Sequence, residues 1–297
     1  MKRFKKILAV LSDEVPTTAA FEWLSCLATQ AEAEGVDLLP ASRSALVEYP
    51  SVGDEGTGED GPLAEIRQAA ESALVGHPVK VLEPAEDGLR ATLGHLATGV
   101  YDLVVVPVEG AATRSMAERL ARKSPVGVLV LPEVAPVPPR RIVASIDFSD
   151  LSPLTLDWAE AFGTLHADGA ELEAVHVLDL TLRTRATMVR DAERLREDIR
   201  GAADWQMKSF VEEHARDAGR WSHKLVEGQL PGIDLAARVE READLLVIGC
   251  NGRNALSIAL LGSNAAEVIR HSARPVLVVK QKNQNLGFLR DLIGWEA

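Results

Sequence analysis

The feature that most constrains the fold is an internal repeat. Residues 140–159 read RRIVASIDFSDLSPLTLDWA and align with residues 5–24, KKILAVLSDEVPTTAAFEWL. The alignment pairs Ile142 with Ile7 and Trp158 with Trp23 at the same offset. Repeats with so long a period are duplicated domains and not the units of a solenoid. A chance likeness between two ordinary α/β starts is the alternative; the duplication predicts two copies of one fold.

Strand and helix patterns alternate in both copies. The first copy has apolar runs typical of buried strands at 7–11, 36–39, 79–82, 103–106 and 126–131, and helical patterns over 17–33, 63–74, 89–97 and 116–123. The second copy has strand-like runs at 142–146, 172–178, 224–226, 245–248 and 276–279, and helical patterns over 187–218 and 264–271. Such alternation predicts an α/β fold in which parallel strands are joined by right-handed crossovers.

The chain divides into four predicted segments, which are residues 1–132, 133–139, 140–282 and 283–297. The second segment, EVAPVPP, carries three prolines and is typical of a semi-rigid linker between domains. Within the first domain, residues 49–62 form a Gly-rich acidic loop with no hydrophobic period. The tail at 283–297 is apolar enough to dock on the protein as a short amphipathic helix.

Composition narrows the function classes. The chain of 297 residues is 46% hydrophobic and 26% charged, which suffices for a sizeable core. Its formal net charge is -12 and it has no Lys/Arg-rich block, so nucleic acid is not an expected partner. No apolar run approaches the ~20 residues of a membrane span. Cys26 and Cys250 show neither disulfide nor metal spacing, and we expect a cytoplasmic protein without a membrane partner.

Gly249, Gly252, Gly262 and Ser263 form the motif with the clearest chemical logic. Two glycines follow the strand-like run at 245–248, and after a further nine residues Gly262 and Ser263 start a helical pattern. Glycine lets a backbone approach a ligand where a Cβ would collide. The unpaired N–H groups of a helix start attract phosphate, and the Ser263 hydroxyl could cap the helix, bind a phosphate oxygen or do both. The alternative is a pair of tight turns and a capped helix without a ligand.

The first strand of the second copy ends at Asp147, which is a second candidate ligand group. Ligands of doubly wound folds bind at the carboxyl edge of the sheet, where this carboxylate or its neighbouring backbone could bond an adenine or a ribose. The alternative is an aspartate that caps a loop. In the first copy Ser12 stands at the matching place, Pro107 replaces Gly249, and the nine-residue loop with its Gly-Ser pair is missing. The first copy therefore keeps the predicted fold and loses the phosphate loop.

The stretch 243–280 resembles the ATP-binding motif of the universal stress protein family, both in the spacing of its glycines and in the flanking strand and helix. Arg253, Ser257 and Leu261 also stand where that family often has Arg, Ser and Leu. Asn251 departs from the histidine often found there, and Cys250 replaces a small polar residue. Neither change removes a backbone contact to phosphate. The resemblance covers almost the whole chain apart from the tail and is to a tandem-domain, E-type member.

The resemblance implies a fold, a ligand and a set of ligand-binding residues. The family fold is doubly wound and adenine nucleotide alpha hydrolase-like, with strand order 3-2-1-4-5, and two such domains in one chain form a pseudo-dimer. The ligand is ATP with Mg²⁺. Asp147 would contact adenine and Val177 would line the adenine slot, with plain core packing as the alternative for Val177. The implied nucleotide-binding residues are Ser145, Ile146, Asp147, Val177, Gly249, Asn251, Gly252, Arg253, Gly262, Ser263 and Asn264.

Three functions fit the sequence. The first is a stress-response protein that binds ATP in its second copy and acts as a non-catalytic, nucleotide-responsive regulator. The second is slow ATP hydrolysis or self-phosphorylation, for instance on Ser263, although no general base or arginine finger is evident. The third is a carrier that binds a lipid or a nucleotide-sugar in the cleft of the first copy. No histidine spacing suits a protein metal site, and a homodimer of tandem chains is compatible with all three.

The last strand-like run of each copy is strongly apolar and would form the edge of its own sheet. An exposed apolar edge is an aggregation hazard unless something covers it. We therefore predict that residues 128–130 pair antiparallel with residues 277–279 of the same chain, and that the two ligand clefts face opposite sides. The alternative is two independent domains on a mobile linker, with these edges paired between molecules.

Overall fold

A single sheet runs through the protein. The computed structural model describes residues 4–12, 18–41, 61–85, 87–178, 192–251, 261–283 and 286–293, so most of the predicted loop at 49–62 lies outside the described residues. Within these ranges, ten strands form one sheet in the order β3-β2-β1-β4-β5-β10-β9-β6-β7-β8. The order is 3-2-1-4-5 in the first half, and the second half repeats it outward from the centre. The predicted fold class is therefore confirmed.

The first half contributes five strands and four helices of the described chain. They are β1 (Lys6–Ser12), α1 (Thr18–Ala31), β2 (Gly35–Ala41), α2 (Gly61–Ala73), β3 (Val79–Val81), α3 (Gly88–Ala97), β4 (Leu103–Val108), α4 (Ala111–Lys123) and β5 (Gly127–Pro132). All neighbouring strands here are parallel. The side chains of β4, LVVVPV, are buried along its whole length, as expected where helices cover both faces of a parallel strand.

The second half repeats the pattern and adds a final helix. Its elements are β6 (Arg141–Ser145), α5 (Ser152–Gly163), β7 (Glu171–Leu178), α6 (Ala192–His214), β8 (Trp221–Glu227), α7 (Pro231–Glu242), β9 (Leu245–Gly249), α8 (Ser263–His271), β10 (Val276–Val279) and α9 (Leu286–Ile293). Helix α7 lies where no helix is predicted. Its buried face is short and includes Leu235 and Val239, one helical turn apart.

The two halves meet at strands β5 and β10. These strands are antiparallel, and Val276, Leu277 and Val278 pair with Val130, Leu129 and Val128 respectively. The predicted pairing of the two apolar edges within one chain is confirmed, but the predicted register is wrong by one residue, since Val276 and not Val279 completes the pairing. Because the seam is antiparallel, the carboxyl ends of the strands point to opposite edges of the sheet in the two halves.

Two apolar layers cover the two faces of the sheet. One face carries α1, α2, α5 and α6, and the other carries α3, α4, α7 and α8. The two tryptophans of the repeat, Trp23 and Trp158, are both buried in the first layer. There Phe4 packs edge-on against Trp158, with ring centroids 5.0 Å apart. Each layer runs across both halves, so the seam is covered on both faces.

The linker and the tail both pack against the first half. Ala135 is buried, and its carbonyl accepts a hydrogen bond from Trp23 Nε1 at 3.1 Å. Helix α9 lies against α3, where Leu289 is fully buried and Arg290 Nε donates to the carbonyl of Ala97 at 3.0 Å. The predicted packing helix in the tail is thus present. The domain boundaries at 132, 140 and 282 stay predictions.

Candidate functional site

The candidate site lies at the carboxyl ends of two neighbouring strands, β6 and β9. Ser145 at the end of β6 pairs with Ile248, one residue before the end of β9. After β6 the chain enters α5 on one face of the sheet, and after β9 it reaches α8 on the other face. Adjacent strands whose connections leave to opposite faces open a crevice at their carboxyl ends, which is where doubly wound folds bind ligands.

Ser145 and Ile146 occupy opposite faces of β6 and its extension. Ile146 is fully buried in the layer beneath α5, so only its backbone borders the crevice. Its N–H donates to the carbonyl of Val175 at 2.8 Å, and its own carbonyl lies 2.7 Å from His176 Nδ1. Strand alternation places Ser145, which is half-buried, on the face of α7 and α8. Of the two residues, only Ser145 presents its side chain on the crevice side.

Asp147 shapes the turn that leads into α5. Its Oδ1 accepts hydrogen bonds from the N–H of Ser149 at 3.0 Å and from Ser152 Oγ at 2.9 Å. Its own N–H donates to Ser152 Oγ at 3.3 Å. These contacts realise the loop-capping alternative for Asp147 and hold its half-buried carboxylate at the mouth of the crevice. A contact to adenine stays a prediction.

The second motif segment begins where β9 ends. A Cβ on Gly249 would lie 3.3 Å from Leu151 Cβ, so the glycine makes room for this leucine of the α5 turn. The N–H of Cys250 donates to the carbonyl of Val279 at 3.0 Å, and the Cys250 carbonyl accepts from the N–H of Gly262 at 2.7 Å. This last bond joins the two ends of the loop. Asn251 is half-buried just beyond it, whereas the predicted site residues Gly252 and Arg253 lie outside the described residues.

Gly262 is the N-cap of α8, with φ -62 and ψ 147. A backbone in this region suits any residue, so the conformation itself does not require glycine here. Ser263 is the first helical residue, and the N-cap glycine before it has no side chain that could cap the helix. The prediction that Ser263 could act as the cap is therefore wrong, because the helix begins one residue earlier than predicted. Both Ser263 and Asn264 are exposed, which leaves the first turn of α8 open to a ligand.

Among the described residues of the second half, four partly buried apolar side chains pack against the layer on the α7 and α8 face. They are Leu151, Val177, Val226 and Leu261. Val177 and Val226 are paired across β7 and β8, and Leu151 abuts Gly249. Val177 is a predicted site residue, whereas Leu151 and Val226 are missed by sequence reasoning. The period-two alternation that places Val177 on this face could have found Val226 one strand further on.

Two titratable side chains beside the described ends of the loop, Lys280 and Cys250, are buried. Lys280, directly after β10, is 4% exposed, and its Nζ donates to the carbonyls of Ser124 at 2.8 Å and Arg122 at 3.0 Å. Burial lowers the pKa of this amine to about 8. Burial also raises the pKa of the Cys250 thiol, which keeps it protonated at neutral pH. Among the described residues, no group of three or more His, Cys, Asp or Glu side chains is placed to hold a metal ion.

The matching edge of the first half is closed by its own side chains. Ser12 occupies the place of Asp147, and its Oγ donates to Glu109 Oε2 at 3.0 Å. Thr113 Oγ1 accepts hydrogen bonds from the N–H groups of Glu109 at 3.0 Å and Gly110 at 3.2 Å. Helix α4 starts directly after Gly110. A protein carboxylate and a buried threonine thus lie at this helix start, where the second half exposes Ser263 and Asn264.

Comparisons with known proteins agree with this architecture. A family model described as the universal stress protein family matches residues 139–280. Universal stress protein MJ0531 of Methanocaldococcus jannaschii is 32% identical over 151 residues, which cover 48% of this chain and 82% of that protein. Universal stress protein MJ0577 of the same organism is 27% identical over 158 residues, covering 48% of this chain and 96% of that protein.

Solved structures also match both halves together, and one of them serves as the example. It is the crystal structure of a functionally unknown protein, PA1789, from Pseudomonas aeruginosa, with a TM-score of 0.70 and 17% identity. The match covers 99% of each chain. At this identity the likeness speaks for the fold alone, which extends here to the arrangement of the two halves. Among the described residues, no helix combines the length and the apolarity needed to cross a membrane.

Proposed function

The chain belongs to the universal stress protein family, and from this premise we propose that its second half binds ATP at the carboxyl ends of β6, β7 and β9. We further propose that the protein acts in a stress response as a non-catalytic regulator that responds to the nucleotide. The observation that carries the proposal is the open first turn of α8, which starts from the same crevice that Asp147 borders.

The start of α8 supplies the phosphate end of the proposed site. Its first N–H groups have no partner within the helix, and the helix dipole gives this end a partial positive charge. Ser263 and Asn264 are exposed, and the Ser263 hydroxyl is not used as a helix cap. A hydroxyl and several backbone donors together suit the oxygens of a polyphosphate. Gly262 would keep the approach to these donors free of a side chain.

The strands beside α8 supply the part of the proposed site that would hold the adenine base, which we call the base end. Val177, Val226 and Leu151 form an apolar surface on the α7 and α8 face, which suits the flat face of an adenine ring. Asp147 and Ser145 stand at the end of the neighbouring strand and offer polar atoms for the base or the ribose. Mostly apolar walls with a few polar groups are typical of cofactor sites. In this proposal Asn251, Gly252 and Arg253 complete the phosphate side.

Mg²⁺ would accompany the nucleotide. This ion keeps several waters and is bound largely through substrate phosphates in most nucleotide sites. Its role would be to neutralise phosphate charge beside a protein whose formal net charge is -12. The described residues at the crevice offer one carboxylate, Asp147, which already receives two hydrogen bonds. The protein's part is then to bind and orient the nucleotide.

Replacing Gly262 tests the proposal most directly. We expect Gly262→Val to lower the affinity for ATP with Mg²⁺ by at least about 100-fold, a cost of about 3 kcal/mol, because the new side chain fills the phosphate approach. The fold should persist, since φ -62 and ψ 147 suit valine. Calorimetric titration of the full chain, with a thermal melt in excess ATP, measures both effects.

Gly110→Val is the matched control, because Gly110 is the N-cap of α4 and a Cβ there meets no atom within 4 Å. This variant should bind ATP as the parent does. Absence of both heat and thermal stabilisation in the parent chain would refute the proposed function. Equal ATP affinity in Gly262→Val and the parent would show that the glycine serves the loop and not the ligand. Turnover of radiolabelled ATP by the parent would contradict the non-catalytic part.

A further inference from the structure

The far end of α8 is held by the first half of the chain. Arg114 on α4 is half-buried, and its Nη1 donates to the carbonyls of Ile269 at 2.7 Å and Ser272 at 3.0 Å. Ser272 is the C-cap of α8. The last carbonyls of a helix have no donor within the helix, and a cation beside them interacts favourably with the helix dipole. One side chain of the first half thus completes the C-terminus of the helix whose N-terminus forms the proposed phosphate site.

A second contact between α4 and α8 lies one turn along α4. Both oxygens of Glu118 accept hydrogen bonds from Arg270, from Nε and from Nη2, each at 2.8 Å. Such a two-fold contact fixes the relative orientation of two groups more strictly than a single hydrogen bond. The Glu118 side chain is mostly buried, which limits screening by water. Arg114 and Glu118 therefore restrain both the position and the rotation of α8.

The N-terminal end of α8 is held by the second half itself. A Cβ on Gly232 of α7 would lie 2.8 Å from the carbonyl oxygen of Asn264 and 2.7 Å from Glu267 Cβ. The backbone of α7 therefore touches the first turn of α8 directly. Because α8 has only nine residues, a shift of its C-terminal end would also move its first turn. The two halves of the chain thus contact α8 at its opposite ends.

Arg114 occupies a position in the repeat that the second half fills with a glycine. Helices α4 and α8 are followed by the same serine turn. Ser124 Oγ accepts from the N–H of Val126 at 3.1 Å, and Ser272 Oγ accepts from the N–H of Arg274 at 3.1 Å. Counted back from these serines, Arg114 stands where the second half has Gly262. The first half thus carries an arginine at the place of the phosphate-loop glycine, and that arginine reaches across the seam.

We propose that Arg114, supported by Glu118, is a positioning residue for the nucleotide site of the other half. The first half would then act as a built-in scaffold that aims the first turn of α8 at the phosphates. The inference rests on the proposed function, because it concerns that same site. Coupling between two sites is reciprocal, so ATP bound at α8 should in turn strengthen the contact between α4 and α8.

The test compares ATP with adenosine, which lacks the phosphates. In the full chain we expect Arg114→Met to weaken binding of ATP with Mg²⁺ by about tenfold, within the range known for mutations that act through a packed element. Affinity for adenosine should stay unchanged, because the base end does not depend on α8. Arg119→Met is the control on the same helix, since Arg119 makes no side-chain hydrogen bond or ion pair among the described residues. Arg114→Lys should restore part of the loss, because it keeps the cation.

Amide hydrogen exchange tests the restraint on α8 without any ligand. The hydrogen-bonded amides of α8 begin at Ala266, whose N–H donates to the carbonyl of Gly262 at 3.0 Å. The amides of residues 266–271 should exchange about tenfold faster in Arg114→Met than in Arg119→Met, since a less restrained helix opens more often. Should Arg114→Met fail to fold, Glu118→Gln serves, because it weakens the contact to Arg270 without changing side-chain size. Equal losses for ATP and adenosine, or unchanged ATP affinity and exchange, would overturn the inference alone. A parent chain that binds neither ATP nor adenosine would overturn the proposed function, and the inference with it.

Discussion

In the first half the hydroxyl of Ser12 donates to Glu109 at 3.0 Å across the carboxyl edge of the sheet; in the second half the matching positions hold Asp147 and Asn251. The first pair has its carboxylate directly after β4, beside the start of α4. The second pair has its carboxylate two residues after the end of β6 and an amide two residues after the end of β9. A fixed negative charge close to a polyphosphate is unfavourable. The different position of the carboxylate would therefore be enough to give the two clefts different affinities for ATP.

At the opposite edge of the sheet, where the first strand of each half begins, the two halves make equivalent hydrogen bonds. Asp102 Oδ2 accepts from the N–H groups of Lys5 at 2.8 Å and Lys6 at 3.0 Å. Asp244 Oδ2 accepts from the N–H groups of the two equivalent residues, 140 and 141, at 2.9 Å and 3.1 Å. Each aspartate satisfies backbone donors where the first strand of its half begins. The comparison teaches that these backbone contacts at the start of the first strand are kept in both halves, whereas the side chains at the carboxyl edge differ.

The largest expected effect is in stoichiometry. We expect a calorimetric titration of the parent chain to find a single ATP per chain, with the second half at least about 100-fold tighter than the first. The reasons are the carboxylate of Glu109, the absence of the long loop, and the engagement of Arg114 with α8. In Gly262→Val no ATP should bind at all at the same concentrations. Binding of two equivalent ATP molecules per chain would contradict the expected difference in affinity between the two clefts.

The next effect concerns the two tryptophans of the repeat, which are equivalent in sequence but not in contact. Trp23 bonds the linker, whereas Trp158 of α5 packs on β5 of the other half, where a Cβ on Gly127 would lie 2.6 Å from Trp158 Cζ3. We expect Gly127→Ala to lower the free energy of unfolding by about 1–3 kcal/mol, a typical cost of overpacking. Urea denaturation measures the change.

Gly94→Ala is the control for this substitution. Gly94 lies inside α3, and a Cβ there meets nothing within 4 Å. Alanine should stabilise this helix by about 0.5–1 kcal/mol relative to glycine. A neutral Gly127→Ala would mean that Trp158 does not pack tightly on β5 of the other half.

The smallest effect is the pH dependence that Lys280 adds at the seam. Burial lowers its pKa to about 8 from an ordinary 10.5, so between these values the unfolded chain binds a proton that the folded chain lacks. The contribution of Lys280 to the free energy of unfolding therefore rises with pH between about 8 and 10.5. We expect the free energy of unfolding of the parent to gain about 1 kcal/mol more between pH 8 and pH 9 than that of Lys280→Met. Denaturant titrations at both pH values measure the difference.

Lys282→Met is the control, because Lys282 is about half exposed and pairs with Asp102 at the surface. It should keep the pH dependence of the parent. Comparing below pH 9 avoids the thiols of the half-buried Cys26 and the buried Cys250. Burial raises the pKa of both thiols from the ordinary 9.0, and their effect on stability has the opposite sign. Identical pH dependence in the parent and Lys280→Met would show that this amine is not buried in the folded chain.

Much of the fold could be predicted from the sequence, because its signals are local. Apolar runs such as the one at 276–279 match the strand without error, and the sheet order follows from the family resemblance. Helix α7 could not be predicted, since its buried face is short and its packing on Asn264 depends on Gly232, whose role appears only next to α8. In the site, the motif led to Gly249, Gly262 and Ser263. Val226 and Leu151 were missed because neither belongs to a motif.

By itself, the sequence determined that this chain holds two α/β units, that only the second carries the glycine-spaced motif predicted to bind phosphate, and that the apolar edges must be covered. Those conclusions rest on periodicity and spacing, which a chain carries along its length. Only the tertiary structure decided the register of β5 against β10, the docking of α9 on α3, and the reach of Arg114 to the end of α8. Each of these joins residues more than a hundred positions apart, and such contacts are selected by side-chain packing and hydrogen-bond partners that exist only once both halves have folded.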